Sequence, residues 1–191
     1  MDIVYIGAGV AVIAVAAFLI AKRSKEGAEV VGGDATPVRT GDRAVEKRII
    51  DEKEGIEKEH FGRFAGMRVL LAEDNAINRK IVAGILEGSG IVLEFAEDGA
   101  EAVRKCIDSA GDSFDMVLMD IEMPRMDGNE ATLKIRENRA TATIPIVALS
   151  SSTAEEEVEK MFSCGMDGYI PKPLSLGRLY GAFETFSGGR S

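Results

Sequence analysis

Met116-Val117-Leu118-Met119-Asp120-Ile121-Glu122-Met123-Pro124-Arg125-Met126-Asp127-Gly128 is the stretch that decides the fold. Its first four residues are an unbroken apolar run with no polar alternation, which reads as a short strand buried on both faces. Asp120 closes that run. A carboxylate where a buried strand meets a loop is costly unless it has partners or a chemical task. Asp127-Gly128 then opens a helix that continues to about Glu137.

Upstream, Arg68-Val69-Leu70-Leu71-Ala72 repeats this architecture and ends in the acid pair Glu73-Asp74. Groups at the carboxyl ends of parallel strands converge on the crevice where strand order reverses, so the three acids are expected to share one pocket. Three clustered carboxylates repel one another unless a cation joins them, and hard oxygen ligands suit Mg²⁺ that keeps several waters. Downstream, Pro145-Ile146-Val147-Ala148-Leu149-Ser150 brings a hydroxyl to a strand end. Gly168-Tyr169-Ile170-Pro171-Lys172-Pro173 brings a lysine to the end of a fifth short strand. An acid pair, a single Asp, a Ser and a Lys, each at a different strand end, suit metal-assisted phosphoryl transfer to an aspartate.

On these five motifs the stretch from Met67 to Phe186 resembles the receiver domain of two-component response regulators, above all the receivers appended to hybrid sensor kinases. The opening Val69-Leu70-Leu71-Ala72-Glu73-Asp74-Asn75 carries much of the likeness. The resemblance implies that Asp120 is the phospho-acceptor and that Glu73, Asp74, Asp120 and the backbone carbonyl of Glu122 hold Mg²⁺. It implies that Ser150 and Lys172 contact the phosphoryl oxygens, that Ser150 and Tyr169 form the switch pair, and that the Lys172-Pro173 bond is cis. Ser150 stands where threonine is commoner. Ser151 and Ser152 follow where small or amide residues are usual, and Glu122 is an acid two residues past the acceptor. In the family, side chains at the positions of Glu122 and Ser152 bear on the lifetime of the phosphorylated state. The implied fold is flavodoxin-like, a (βα)5 doubly wound parallel sheet with strand order 2-1-3-4-5.

Periodicity agrees with that fold independently. Ile77, Ile81, Val82, Ile85 and Leu86 recur at helical spacing after the first strand, and Gly88 and Gly90 end that helix. Ile91-Val92-Leu93-Glu94-Phe95-Ala96 is a second strand, and Ala102, Val103, Cys106 and Ile107 mark a second helix. Thr153 is placed to cap a fourth helix from Ala154 to Cys164, and Leu176, Leu179 and Phe183 stripe the last. Cys106 and Cys164 have no metal-binding or catalytic spacing and read as small apolar residues of a reducing compartment.

Ahead of this unit, Ile3 to Ala21 is an uninterrupted run of apolar or small residues, long enough as a helix to cross a ~30 Å hydrocarbon core. Asp2 precedes it and Lys22-Arg23-Ser24-Lys25 follows, so residues 1–25 read as a signal anchor rather than a cleaved leader. Positive charge stays on the cytoplasmic side. The expectation is therefore a single-pass protein of the inner (cytoplasmic) membrane, amino terminus out and receiver in the cytoplasm.

Residues 26–66 read as a charged linker. Gly32-Gly33-Asp34-Ala35-Thr36-Pro37 and Thr40-Gly41-Asp42 are flexible in composition. Arg43 to His60 is dense in Glu and Lys, with Val45, Ile49 and Ile56 near heptad spacing, which suggests a solvated helix or disorder. His60, the single histidine, sits in that charged stretch without a four-helix context that would make it a relay residue. Residues 67–187 form the receiver and 188–191 a tail.

The net charge of −9 disfavours nucleic acid, whose phosphates call for a basic face. The expected partners are a sensor histidine kinase or phosphotransfer protein as donor, the membrane through the amino-terminal helix, and a protein target on the face of the fourth helix, fifth strand and fifth helix. The chain is expected to assist only its own phosphorylation and dephosphorylation. A phosphorylation-dependent switch of protein contacts leads, with an unswitched membrane scaffold and a phosphate sink for a kinase as alternatives.

Overall fold

The computed structural model describes residues 48–109 and 113–187. Chain order is β1 (Arg48–Ile49), a 3-10 helix (Lys58–Phe64), β2 (Arg68–Ala72), α1 (Ala76–Leu86), β3 (Val92–Ala96) and α2 (Gly99–Asp108). It continues with β4 (Met116–Asp120), α3 (Gly128–Glu137), β5 (Ile146–Ser150), α4 (Glu155–Ser163), β6 (Gly168–Pro171) and α5 (Leu176–Phe186). The six strands make one parallel sheet in the order β1-β6-β5-β4-β2-β3. Counted from β2, the five expected strands lie in the order 2-1-3-4-5.

The strands lack polar alternation because both faces of the sheet are covered. Successive side chains point to opposite faces. Val69 and Leu71 therefore join one core with α1 and α5, including Val82, Leu86, Leu179 and Phe183. Leu70 and Ala72 join the other with α2, α3 and α4, including Ala102, Cys106, Ile135 and Met161. Each fully buried Leu, Ile or Phe contributes about 1.5–3 kcal/mol relative to exposure, so the sheet is held from both of its faces.

Side chains close the helix starts. Asn75 accepts from Ile77 N at 2.8 Å, Asp98 from Glu101 N at 2.6 Å, Asp127 from Glu130 N at 2.8 Å and Ser175 from Arg178 N at 3.2 Å. Gly88 and Gly90 take φ of 80° and 79° just past α1, a region open to glycine at little cost. The fourth helix differs from the reading of Thr153 as its cap. It begins at Glu155, with Ala154 at the N-cap position and no capping side chain. Ser152 Oγ accepts from Ala154 N at 3.2 Å, which spends the local hydroxyl on the turn before the helix. Glu155, Glu156 and Glu157 complement the positive end of the helix instead.

The larger correction concerns the segment read as linker. Residues 48–64 are folded onto the sheet. Arg48 and Ile49 pair in parallel with Gly168 and Tyr169, and Phe61 and Phe64 are buried against Tyr180 and Phe183 at ring separations of 5.3–5.6 Å. The heptad frame chose the wrong isoleucine, since Ile49 is 60% exposed while Ile50 is 4% exposed. Two phenylalanines three residues apart outweigh the surrounding charge, because burying an aromatic ring removes 150–250 Å² from water. This segment covers the β6 edge and one side of α5, so the expected target face of fourth helix, fifth strand and fifth helix is partly occupied by the chain itself.

The anchor read in residues 1–25, the flexible stretch to Asp42 and Val45 lie outside the described residues. Among the described residues no helix is long and apolar enough to cross a membrane.

Candidate functional site

Strand ends build the site. Asp120 is the last residue of β4 and is 4% exposed, and Glu73, directly after β2, is 1% exposed. β2 and β4 are neighbours in register, Ala72 opposite Met119, which brings the two acidic ends side by side. Asp74 is exposed at the rim. One oxygen from each of Glu73, Asp74 and Asp120 lies within 4.8 Å of the others. An all-oxygen set with one open side fits a small hard cation that retains water.

Lys172, just beyond β6, donates from Nζ to Glu73 Oε2 at 2.9 Å and to Asp120 Oδ2 at 2.8 Å. The ammonium thus offsets one of three negative charges, and a divalent cation would offset the rest. Burial pushes the Asp120 carboxyl up to about 6 from 3.8; the Lys172 hydrogen bond works against this and the Glu73 charge adds to it. For Lys172, burial opposes the charge, but the hydrogen bonds it donates to Asp120 and Glu73 win and hold its pKa above the ordinary lysine value.

The remaining predicted residues sit at the same rim. Glu122 donates its backbone N–H to Asp120 Oδ1 at 3.3 Å, tying the loop after β4 back to the carboxylate. Ser150 ends β5 one residue past Leu149, the register partner of Asp120, and is buried. Its Oγ accepts from Ser152 N at 3.1 Å. Tyr169 lies on β6 with its ring in the core, and its Oη donates to the Ser152 carbonyl at 2.8 Å. The Lys172-Pro173 bond is cis. Glu73, Asp74, Asp120 and Lys172 therefore meet directly, while Ser150 and Tyr169 are joined through Ser152.

Three supports escaped the sequence reading. Asn78, one turn into α1, donates to Glu73 Oε1 at 3.0 Å, and Asn75 N donates to the same oxygen at 3.2 Å. A polar residue amid the isoleucines of α1 was the available signal. Gly128 permits close approach: a methyl there would sit 2.2 Å from the Asp120 carbonyl oxygen. Arg125, at φ 66°, pairs with Asp98, the cap of α2, and fastens the loop after β4 to a neighbouring helix start. Nothing local in the sequence marks that last pair, whose members lie on separate loops.

The site can hold a divalent cation beside a carboxylate oxygen, with a lysine in contact with Glu73 and Asp120. That arrangement can stabilise negative charge on a group placed beside Asp120.

Comparison with known proteins gives the same picture. The family described as "Response regulator receiver domain" matches residues 69–184. The chain is 44% identical over 115 residues to the two-component response regulator ORR41 of Oryza sativa subsp. japonica, covering 59% of this chain and 88% of that protein. It is 35% identical over 151 residues to probable histidine kinase 2 of the same plant, covering 72% of this chain and 14% of that kinase. Among solved structures, the receiver domain of sensor histidine kinase PA1611 from Pseudomonas aeruginosa PAO1, with magnesium coordinated in its active site cleft, superposes with a TM-score of 0.59 at 30% identity. It covers 65% of this chain and 100% of that one. The receiver domain of the histidine kinase CKI1 from Arabidopsis thaliana, complexed with Mg²⁺ and BeF₃⁻, gives 0.57 at 31% identity, covering 65% and 95%.

Proposed function

The chain belongs to the response regulator receiver family, and from that premise we propose that it is a phosphorelay receiver in which Asp120 accepts a phosphoryl group from a phosphohistidine. The observation that carries this reading is the buried contact of Lys172 with both Asp120 and Glu73 beside an exposed third acid. Glu73, Asp74 and Asp120 would hold Mg²⁺, with the Glu122 carbonyl as a further oxygen, and the cation would neutralise charge on the transferring group. In the transfer, Asp120 Oδ forms a bond to phosphorus as the phosphorus–nitrogen bond of the donor breaks, and the electron pair returns to the imidazole. Lys172 turns part of its hydrogen bonding from the carboxylates to the phosphoryl oxygens, and the Ser150 hydroxyl supplies another donor.

The donor side has a matching surface. Ile77 and Ile81 are exposed on α1, and a groove of about 390 Å³ runs from Asn78 and Ile81 past Lys172 to Pro173 and Leu174. An apolar helical face carrying the phosphohistidine would seat there with the acceptor within reach. Residues 1–25 would tether the receiver to the cytoplasmic membrane, amino terminus out, with phosphorylation altering protein contacts near the bilayer. The chain spans about 14% of the length of probable histidine kinase 2.

Intact mass after incubation of the full chain with Mg²⁺ and acetyl phosphate tests it. One phosphoryl adduct on the wild type, absent in Asp120→Asn and absent after chelation of the metal, is the expected result. A folded, metal-binding wild type that takes no phosphoryl group from acetyl phosphate or from a phosphohistidine donor would leave an unswitched scaffold.

A further inference from the structure

The segment at residues 48–64 does more than lengthen the sheet. It makes four kinds of contact with β6 and α5. Ile50 N donates to the Tyr169 carbonyl at 2.9 Å. Glu52 accepts from Ser175 Oγ, the cap of α5, at 2.7 and 2.8 Å, and lies 3.4 Å from the Arg178 guanidinium. Gly177 and Gly181 leave room for the backbone of this segment: a methyl on Gly177 would meet the Lys53 carbonyl oxygen at 2.2 Å, and one on Gly181 would meet Ile50 at 3.1 Å. Phe61 and Phe64 pack on Tyr180 and Phe183, and Arg63 Nη1 donates to Tyr180 Oη at 2.9 Å.

Tyr169 stands in both networks. Its Oη holds the Ser152 carbonyl, Ser152 N holds Ser150 Oγ, and its own carbonyl holds Ile50 N. A hydrogen-bonded path therefore runs from the hydroxyl at the acceptor rim to the first strand. Among the described residues, β1 is two residues long and pairs with Gly168 and Tyr169. A shift of the Tyr169 backbone thus acts on all of that pairing at once, whereas β5 against β6 has four register pairs to hold it.

We propose that residues 48–64 are an intramolecular ligand of the β6–α5 face, and that loading Asp120 loosens their hold through Ser150, Ser152 and Tyr169. This rests on the receiver reading above. When the Ser150 hydroxyl turns to a phosphoryl oxygen, it stops accepting from Ser152 N, and the turn that anchors Tyr169 Oη is freed. The β1 pairing gives way first because, among the described residues, it is the shortest. The β6–α5 face opens to a protein partner only as the chain's own segment leaves it.

Hydrogen exchange of the full chain in Mg²⁺, with and without beryllium fluoride as the phosphoryl mimic, tests this. Peptides covering 48–56 are expected to exchange at least five-fold faster with beryllium fluoride. In Gly177→Ala, whose methyl displaces Lys53, they are expected to exchange fast without it, while acetyl phosphate still modifies Asp120. Unchanged exchange at 48–56, alongside altered exchange in peptides holding Ser150 and Tyr169, would overturn the proposal and leave the receiver reading standing. No change anywhere, together with no adduct at Asp120, would remove both.

Discussion

Asp120 carries the largest local conflict in the structure. Its carboxyl is buried beside Glu73, and its pKa of about 6 stands above the ordinary 3.8 chiefly because burial penalises the charge. A raised carboxyl favours the fold while protonated, so its contribution is fully present below about pH 4 and is lost as pH rises through about 6. In metal-free buffer Asp120→Asn, which does not ionise, is therefore expected to gain stability over the wild type between pH 4 and pH 7. The gain at pH 7 should be on the order of 3 kcal/mol, given ~1.4 kcal/mol for each pKa unit. Urea titrations at several pH values measure this, and a pH-independent difference would show that burial of the charge is not its source. Glu73, Asp74 and Lys172 could be read at their strand ends, because charge next to an apolar run is a local signal. Asn78 was missed because an Asn on a helix has no chemistry until Glu73 is seen beneath it.

At the scale of elements, the segment ahead of β2 is where packing overruled composition. Phe61 is fully buried against Tyr180 and Phe183. Truncating a buried phenylalanine removes its transfer free energy and leaves a cavity, so Phe61→Ala is expected to cost about 3–5 kcal/mol. A ring in a solvated linker would cost close to nothing. Equilibrium unfolding of the two proteins distinguishes these directly, and a cost under about 0.5 kcal/mol would return this segment to the linker reading. The helix starts show the opposite balance. Asn75, Asp98, Asp127 and Ser175 act as caps where local sequence permits them, and α4 departs because its N-cap position falls on Ala154, which has no acceptor side chain.

For the molecule as a whole, the three acids and the lysine leave the site net negative, and a cation that binds only the folded state adds stability by mass action. Mg²⁺ at one hundred times its dissociation constant is expected to stabilise the protein by about 2.7 kcal/mol. Thermal unfolding with and without chelator reads the shift. Asp74→Asn, at the exposed rim, should abolish most of it while leaving the metal-free midpoint within a degree or two. A Mg²⁺ shift of full size in that variant would take Asp74 out of the ligand set. The pH gap between Asp120→Asn and the wild type should shrink under the same Mg²⁺, since the cation favours the charged carboxylate against the burial that raises the Asp120 pKa.

While the strand order from β2 onward came from the resemblance to the receiver family, the sequence alone determined the parallel sheet and the five strand-end groups Glu73, Asp74, Asp120, Ser150 and Lys172. Each is a local pattern: an apolar run of strand length, a helical stripe, and a polar residue at the junction. Only the tertiary structure decided what contacts join residues far apart in the chain. Arg48 finds Gly168, Glu52 finds Ser175, and Asp98 finds Arg125. Those pairings depend on which surfaces remain uncovered once the sheet has formed. Periodicity within one segment carries no record of that, which is why a charged stretch with two phenylalanines read as linker and folded as part of the core.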